Sequence, residues 1–188
     1  MNNKTTRRRQ RGFSLIEVLV ALIIIAVGML GIAKIQALAY ASTGTASLRS
    51  LASIQAASLA AAMRANRAYW TTPATPLTVT VTTSITTTDG SIAGGTATQC
   101  LNNAACTAAN VAASDLASWE TAINAVLPTP TGTISCPTPV AVGGITPPVG
   151  CTISLTWFER NVGMNAQSQV SGQGNAMATQ TYSLYVVP

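Results

Sequence analysis

Residues 11–33 read RGFSLIEVLVALIIIAVGMLGIA, and this stretch decides how the N-terminal part of the chain folds. Between Phe13 and Ala33 the only charged residue is Glu17, and Ser14 is the only other clearly polar one. As a helix that rises about 1.5 Å per residue, this segment is long enough to cross the roughly 30 Å hydrocarbon core of a bilayer. The sequence therefore predicts a membrane-spanning helix close to the N-terminus.

The residues before this segment are basic. Residues 1–12 contain no acid and all of the following cations: Lys4, Arg7, Arg8, Arg9 and Arg11. Because positive flanks stay on the cytoplasmic side, everything after Lys34 is predicted to lie on the far side. A secretory signal carries its cleavage site after a shorter apolar region. Here the candidate junction, Gly12–Phe13, precedes the apolar segment, so cleavage would leave the helix on the mature protein.

Glu17 is the residue of this segment that most needs an explanation. A carboxylate inside a membrane helix costs about 2.5 to 3.5 kcal/mol on insertion scales, so it usually has a partner and a function. The alternative is a plain signal anchor that carries an acid near the membrane interface.

The string Arg-Gly-Phe-Ser-Leu-Ile-Glu at residues 11–17, with its basic leader and apolar continuation, resembles the prepilin signal of type IV pilins and type II secretion pseudopilins. The resemblance implies that prepilin peptidase cuts between Gly12 and Phe13 and that the new amine on Phe13 is methylated. It also implies that Glu17 pairs with this amine on a neighbouring subunit and so sets the register of assembly.

Charge and composition agree with export and with packing among subunits. The chain has a net charge of +5, but after Gly12 five cations face five acids, so the excess lies in the leader. Nucleic-acid binding needs basic residues clustered on the folded domain, and is not expected. Only 8% of the residues are charged, which is low for a soluble domain.

The cysteines predict disulfides and not a metal site. Histidine is absent, and no close Cys-x-x-Cys pair exists to hold zinc. An even number of cysteines in an oxidising compartment indicates disulfides, and three pairings are possible. We favour Cys100–Cys106 and Cys136–Cys151, because each closes a local loop rich in turn-forming residues. No cofactor is expected.

Beyond the apolar segment the helix is predicted to continue to about Ala68. Apolar residues recur there at helical spacing and form a stripe for a sheet to cover: Leu48, Leu51, Ala52, Leu59 and Met63. Pro73 in the Tyr-Trp-Thr-Thr-Pro sequence is the stop signal. Gly28, Gly31 and Gly44 are weak points that either allow bending or permit close packing.

Strands and one more helix are predicted after residue 71. Apolar and polar residues alternate at 77–82, 152–157 and 181–187, and residues 133–136 form another short candidate. Because of this alternation we prefer a strand to a glycan-bearing stalk for the threonine-rich part. Asp89-Gly90 and Gly94-Gly95 are turn signals. Residues 161–178 are polar and are predicted to form a connection.

The second helix is indicated by Leu116, Trp119, Ile123 and Val126, with Ser114 as its N-cap and Pro128 as its stop. We interpret Trp119 as a core residue and not as a ligand platform. The predicted fold class is therefore α+β and pilin-like, a long N-terminal α-helix packed on an antiparallel β-sheet.

This organisation divides the chain into four parts. Residues 1–12 are the leader, 13–33 the transmembrane and filament-core helix, and 34–70 its amphipathic continuation. Residues 71–188 form an α+β domain that is predicted to be periplasmic or extracellular.

Within the pilin-like proteins the chain resembles the minor pilins of the PilV type, the type IV pilus modification proteins. Four segments carry this resemblance: residues 27–33, 63–66, 115–119 and 151–157. A departure from major pilins is Lys34, which stands where they commonly have a proline.

The resemblance implies a minor pilin that primes pilus assembly and supports adhesion and twitching motility. Its implied partners are prepilin peptidase, other minor and major pilins and the assembly platform of the bacterial inner membrane. The implied location is first that membrane and then the pilus at the cell surface.

Three other functional classes remain open. The first is a minor pseudopilin of type II secretion, which shares the signal. The second is a tip adhesin or DNA-uptake pilin, for which the loop at 161–178 is the candidate surface. The third, an anchored enzyme, is not expected, because there is no histidine, phosphate loop or nucleophile motif.

Overall fold

The computed structural model describes residues 12–71, 76–92, 100, 106–160 and 177–188, apart from the side chains of Arg160 and Met177. In these residues three helices and five strands follow one another along the chain: α1 (Leu15–Ala65), α2 (Arg67–Trp70), β1 (Leu77–Val81), β2 (Ile85–Thr87), α3 (Ala108–Val126), β3 (Thr131–Cys136), β4 (Cys151–Arg160) and β5 (Met177–Val186). The chain divides into two units, Met1–Ala41 and Ser42–Pro188.

The strands form one antiparallel sheet in the order β2-β1-β3-β4-β5. The β4–β5 pair is the longest, and its register runs without a break from Cys151 opposite Val186 to Arg160 opposite Met177. Side chains alternate between a buried and an exposed face, as in β1, where Leu77, Val79 and Val81 point inward. The predicted fold class, a long helix packed on an antiparallel sheet, is confirmed.

The second half of α1 packs against the inward face of the sheet through the predicted stripe. Its buried residues lie on one helical face, on which spacings of three and four residues recur: Ala52, Ala56, Leu59, Ala60 and Met63. Three of these are alanines, and small side chains allow the helix backbone to lie close to its neighbours. Leu48 packs at the edge of this core.

The helix ends earlier than predicted. We expected it to reach about Ala68, but α1 stops at Ala65 because Asn66 leaves the helical conformation, with φ −109° and ψ 53°. The Asn66 side chain donates a hydrogen bond of 2.7 Å to the carbonyl oxygen of Ala108. Asparagine offers such competing hydrogen bonds readily, which a pattern of apolar residues does not reveal.

The N-terminus of α3 was also predicted wrongly. Its N-cap is Thr107, whose hydroxyl accepts a hydrogen bond of 3.2 Å from the Asn110 amide, and not Ser114. The intervening residues are mostly alanine, the strongest helix former, so the helix begins about two turns earlier.

In the C-terminal part, the predicted connection at 161–178 extended too far. Met177 and Ala178 belong to β5, because they pair with Arg160 and Glu159 of β4. The remainder, residues 161–176, and the Gly94-Gly95 turn lie outside the described residues, as does the leader before Gly12.

Trp119 joins α3 to both α1 and the sheet. Its indole Nε1 donates a hydrogen bond of 3.0 Å to the carbonyl oxygen of Gln55 on α1. Its ring lies over Gly132 of β3, where an added Cβ would overlap the ring atoms. A glycine weakens a strand unless a close approach requires it, and here the indole ring occupies the space. The prediction that Trp119 is a core residue is confirmed, since it is only 4% exposed.

Arg49 of α1 and Glu159 of β4 form an ion pair within the C-terminal unit. Arg49 Nε and Nη2 donate to the two carboxylate oxygens at 3.2 Å and 3.0 Å. The Glu159 side chain is 5% exposed and that of Arg49 is 60% exposed, so a buried acid meets a partly hydrated cation. Two parallel hydrogen bonds fix the geometry of such a pair and so the position of α1 on the sheet.

Candidate functional site

The Gly12–Phe13 junction lies immediately before α1. Both residues are exposed, and Phe13 retains 82% of its accessible surface. A Cβ added to Gly12 would meet no atom within 4 Å, so no contact in the structure requires glycine there. A requirement for glycine at this position would therefore come from a protein that binds the junction closely.

Glu17 lies in the first turn of α1, and Ser14 immediately precedes this helix. The Ser14 carbonyl oxygen accepts hydrogen bonds from the Glu17 amide at 3.0 Å and from the Val18 amide at 3.3 Å. A carboxylate in the first turn is stabilised by the helix dipole. The Glu17 side chain is exposed, and among the described residues the ion pair of the structure joins Arg49 and Glu159.

The apolar segment is exposed around its full circumference. Every residue from 13 to 33 is exposed, and the large side chains include Leu22, Ile24 and Leu30. α1 contains an apolar window with mean hydropathy 2.9 and no buried residue, so it is long and apolar enough to cross a membrane. A helix that is apolar on all sides needs lipid or other helices around it.

Comparison with known families identifies this segment. Residues 7–33 match the family model of the prokaryotic N-terminal methylation motif. The chain carries a prepilin-type signal. The match covers the predicted junction at Gly12–Phe13 and the acid at Glu17, and it supports a type IV pilin-like or pseudopilin protein. Together with the long apolar helix, it also supports anchoring in a membrane.

The motif covers only the N-terminal part of the chain, 27 of 188 residues. No curated protein and no solved structure shows significant similarity to the chain. The C-terminal unit therefore has to be interpreted from its own contacts.

The four cysteines form two disulfides, Cys100–Cys106 and Cys136–Cys151, which is the pairing that the sequence favoured. The second disulfide closes the loop between β3 and β4. At the tip of this loop Val142 and Ile145 pair through both of their backbone amides, at 3.0 and 3.1 Å. In the part of the chain that the structure describes, no group of three or more His, Cys, Asp or Glu side chains could hold a metal ion.

A groove of about 290 Å³ lies between α1 and α3 and was not predicted from the sequence. It is lined by polar, small and apolar side chains of both helices: Gln55, Ser58, Leu59, Ala62, Asp115, Ser118, Trp119 and Ala122. Its ionisable lining residue is Asp115, and burial raises the pKa of this carboxyl group. The hydroxyls of Ser58 and Ser118 share this lining with the acid, and no second ionisable side chain lines the groove.

The raised pKa of Asp115 predicts a pH-dependent stability. The folded state disfavours the ionised carboxylate of Asp115. Below the unfolded-state pKa of about 3.9 the carboxyl group is protonated in both states, so it does not lower the stability there. The loss of stability develops as the pH rises from that value through the raised folded-state pKa. We expect Asp115→Asn to stabilise the protein at pH 7, by less than about 1 kcal/mol because the group remains partly hydrated. The gain should shrink towards pH 4.

Thermal unfolding of the parent and of Asp115→Asn between pH 4 and pH 8 measures this difference. Ser118→Ala removes a neutral side chain from the same groove and serves as the control, since its effect should not change with pH. A constant difference between Asp115→Asn and the parent across this range would contradict the prediction.

A second feature that sequence patterns missed is the contact between Tyr69 and Asp89. The Tyr69 hydroxyl donates to Asp89 Oδ2 at 2.8 Å, and the Ser91 amide donates to Oδ1 at 2.9 Å. The Ser91 backbone amide, and then the Tyr69 hydroxyl, lower the pKa of Asp89, whereas burial and this same acid raise the pKa of Tyr69. The pair attaches the end of the helical region to the turn after β2.

Proposed function

We propose that this protein is a minor subunit of a type IV pilus, similar to the PilV minor pilins, and that it helps to prime pilus assembly. The observation that carries the proposal is the N-terminal methylation motif at residues 7–33. Adhesion and twitching motility would depend on this subunit through the pili it helps to start.

The packing of the C-terminal unit is consistent with the proposal. Two of the segments that resemble PilV, residues 63–66 and 115–119, lie where the helices meet. The first segment contains the fully buried Met63 and Asn66, which donates a hydrogen bond to Ala108. The second contains Trp119, which donates a hydrogen bond to Gln55. The two disulfides suit a domain that works outside the cytoplasm.

The proposed mechanism begins with processing. Prepilin peptidase hydrolyses the Gly12–Phe13 peptide bond on the cytoplasmic side of the inner membrane, and the freed amine of Phe13 is methylated. The helix stays in the bilayer until other pilins and the assembly platform take it into a filament, where its exposed apolar surface contacts neighbouring helices. We propose no catalytic role and no cofactor for the chain.

Glu17 is proposed to pair with the Phe13 amine of a neighbouring subunit. In a low-dielectric environment two opposite charges attract strongly, whereas either one left alone is costly. The position of Glu17 in the first, exposed turn of α1 suits this role, because the carboxylate can reach another chain.

The test of the proposal is the intact mass, with N-terminal fragmentation, of the protein recovered from native membranes or sheared pili. We expect a chain that starts at methylated Phe13 and lacks two hydrogens for each disulfide. In a host with active peptidase, a chain that still starts near Met1 would overturn the proposal and favour a signal anchor.

A prediction for assembly concerns Glu17→Ala. This variant should insert into the membrane and be processed, because the apolar segment is unchanged, but its recovery in filaments should fall by about tenfold or more, the loss expected from removing one partner of a desolvated ion pair. Immunoblots of sheared pili and of membranes measure the two pools, with Glu17→Gln as a variant of similar size. Unchanged recovery in filaments would contradict the pairing.

A minor pseudopilin of type II secretion is the second candidate, since the same motif supports it. Deletion of the gene distinguishes the two functions. Loss of pili and twitching with normal protein secretion is expected for the pilus subunit, and the reverse pattern for a pseudopilin.

A further inference from the structure

The two edges of the sheet differ greatly. One edge is β2, which has three residues, and the other is β5, which has ten. β5 pairs with β4 along its full length without a bulge. A long, regular edge strand presents a row of unpaired N–H and C=O groups that can accept a further strand.

Among the described residues, β5 shows none of the features that usually protect such an edge. Its sequence, MATQTYSLYV, contains no charged residue and no proline. Within the described ranges, no loop or turn forms a backbone hydrogen bond with its outer side. Natural proteins normally block long edges with lysine, proline, a bulge or a covering segment, so a strand without them is a candidate for pairing with another chain.

The core is also incompletely covered next to this edge. On the inward face of β4, Ile153 and Leu155 are fully buried. Their partners on β5, Leu184 and Tyr182, are only partly buried. A strand added beside β5 would continue the sheet and cover these two apolar side chains.

We propose that β5 forms an antiparallel pair with β5 of a second copy of this chain, around a two-fold axis, so that the two five-stranded sheets become one continuous sheet. A second copy fits because the uncharged strand meets itself without repulsion between like charges. Head-to-tail extension of the sheet is disfavoured, because β5 could pair with only three residues of β2. In the two-fold arrangement both β5 edges are paired with each other, so the assembly stops at two copies.

The alternation of β5 restricts the register of this pairing. A shift by one residue would place the inward row, which includes Tyr182 and Leu184, opposite the exposed row of the other copy. The registers that keep both faces aligned and overlap most of the strand place Thr181 or Tyr182 on the two-fold axis. In either case the exposed Thr181 side chains of the two copies are neighbours.

Cross-linking through a single introduced cysteine tests the pairing directly. All four native cysteines are in disulfides, so Thr181→Cys adds the only free thiol to the full-length protein in mild detergent. A short bifunctional maleimide should convert this variant to a covalent dimer at least about tenfold more efficiently than Thr86→Cys. Thr86→Cys is the matched control, since it places the same exposed substitution on the opposite edge strand.

A charge variant separates this contact from association of the apolar helices. Thr181→Lys places two like charges beside each other across the proposed axis and should abolish the dimer in native mass measurements. Ser135→Lys adds the same charge to the exposed face of the central strand β3 and should leave the dimer intact. Both variants should keep the circular dichroism spectrum of the folded parent.

Three results would overturn the proposal. They are equal cross-linking of the two cysteine variants, a monomeric parent protein, and a dimer that Thr181→Lys leaves unchanged. None of them affects the processing at Gly12–Phe13, so failure of this pairing and failure of the proposed function are distinguishable.

Discussion

Replacing Gly12 with leucine should stop removal of the leader. The structure leaves space around Gly12, and nothing within 4 Å would contact an added Cβ, so the substitution does not disturb the fold. A protease that binds the chain backbone closely at a glycine has no room for a branched side chain. Misplacement of a scissile bond by about 1 Å can lower the rate about a hundredfold, and we expect a loss of at least that size.

Immunoblots that separate precursor from mature protein, in cells that contain the peptidase, measure this effect. Gly44→Leu is the matched control, because an added Cβ at Gly44 also meets nothing within 4 Å. This control should be processed like the parent. A Gly12→Leu chain that is found to begin at Phe13 would show that glycine is not part of the recognition signal.

Trp119→Ala should be the most destabilising single substitution among those considered in the C-terminal unit. It removes the hydrogen bond to Gln55, empties the space above Gly132 and opens a cavity between α1, α3 and β3. Truncation of a buried tryptophan typically costs about 3 to 5 kcal/mol. In a unit of this size the melting temperature should fall by roughly 10 °C.

Thermal unfolding followed by near-ultraviolet circular dichroism measures this loss. Trp119→Phe is the comparison, because it keeps most of the apolar contact and loses the indole N–H, so its cost should be smaller, about 1 to 2 kcal/mol. If Trp119→Ala melted at the temperature of the parent, the contact between the helices would not be an important source of stability.

Several elements could be predicted from local patterns. The strand at Leu77–Val81 follows from strict alternation, and the buried stripe of α1 follows from helical spacing. The pairing of the cysteines was favoured because each pair closes a local loop rich in turn-forming residues. In each case the signal lies within a few residues of the feature that it predicts.

Two of the errors occurred where contacts distant in sequence override local preference. α1 ends at Ala65 because the Asn66 side chain bonds to Ala108, which is 42 residues away. Similarly, β5 includes Met177 and Ala178 because β4 supplies partners for them, although their surroundings in sequence are polar. Neither Asn66 nor Ala178 carries a local signal that would reveal its partner.

The sequence alone was sufficient for the N-terminal segment. Its signal depends only on linear order and hydrophobicity, which need no fold to be recognised: the charge of the leader, the Gly12–Phe13 junction, Glu17 and the apolar segment. The methylation motif is matched over residues 7–33. The packing of the C-terminal unit required the tertiary structure. The Arg49–Glu159 ion pair joins residues 110 positions apart, and Trp119 meets Gln55 across 64 positions. Partners this distant are chosen by the geometry of the folded chain, because only folding brings them within reach of a hydrogen bond.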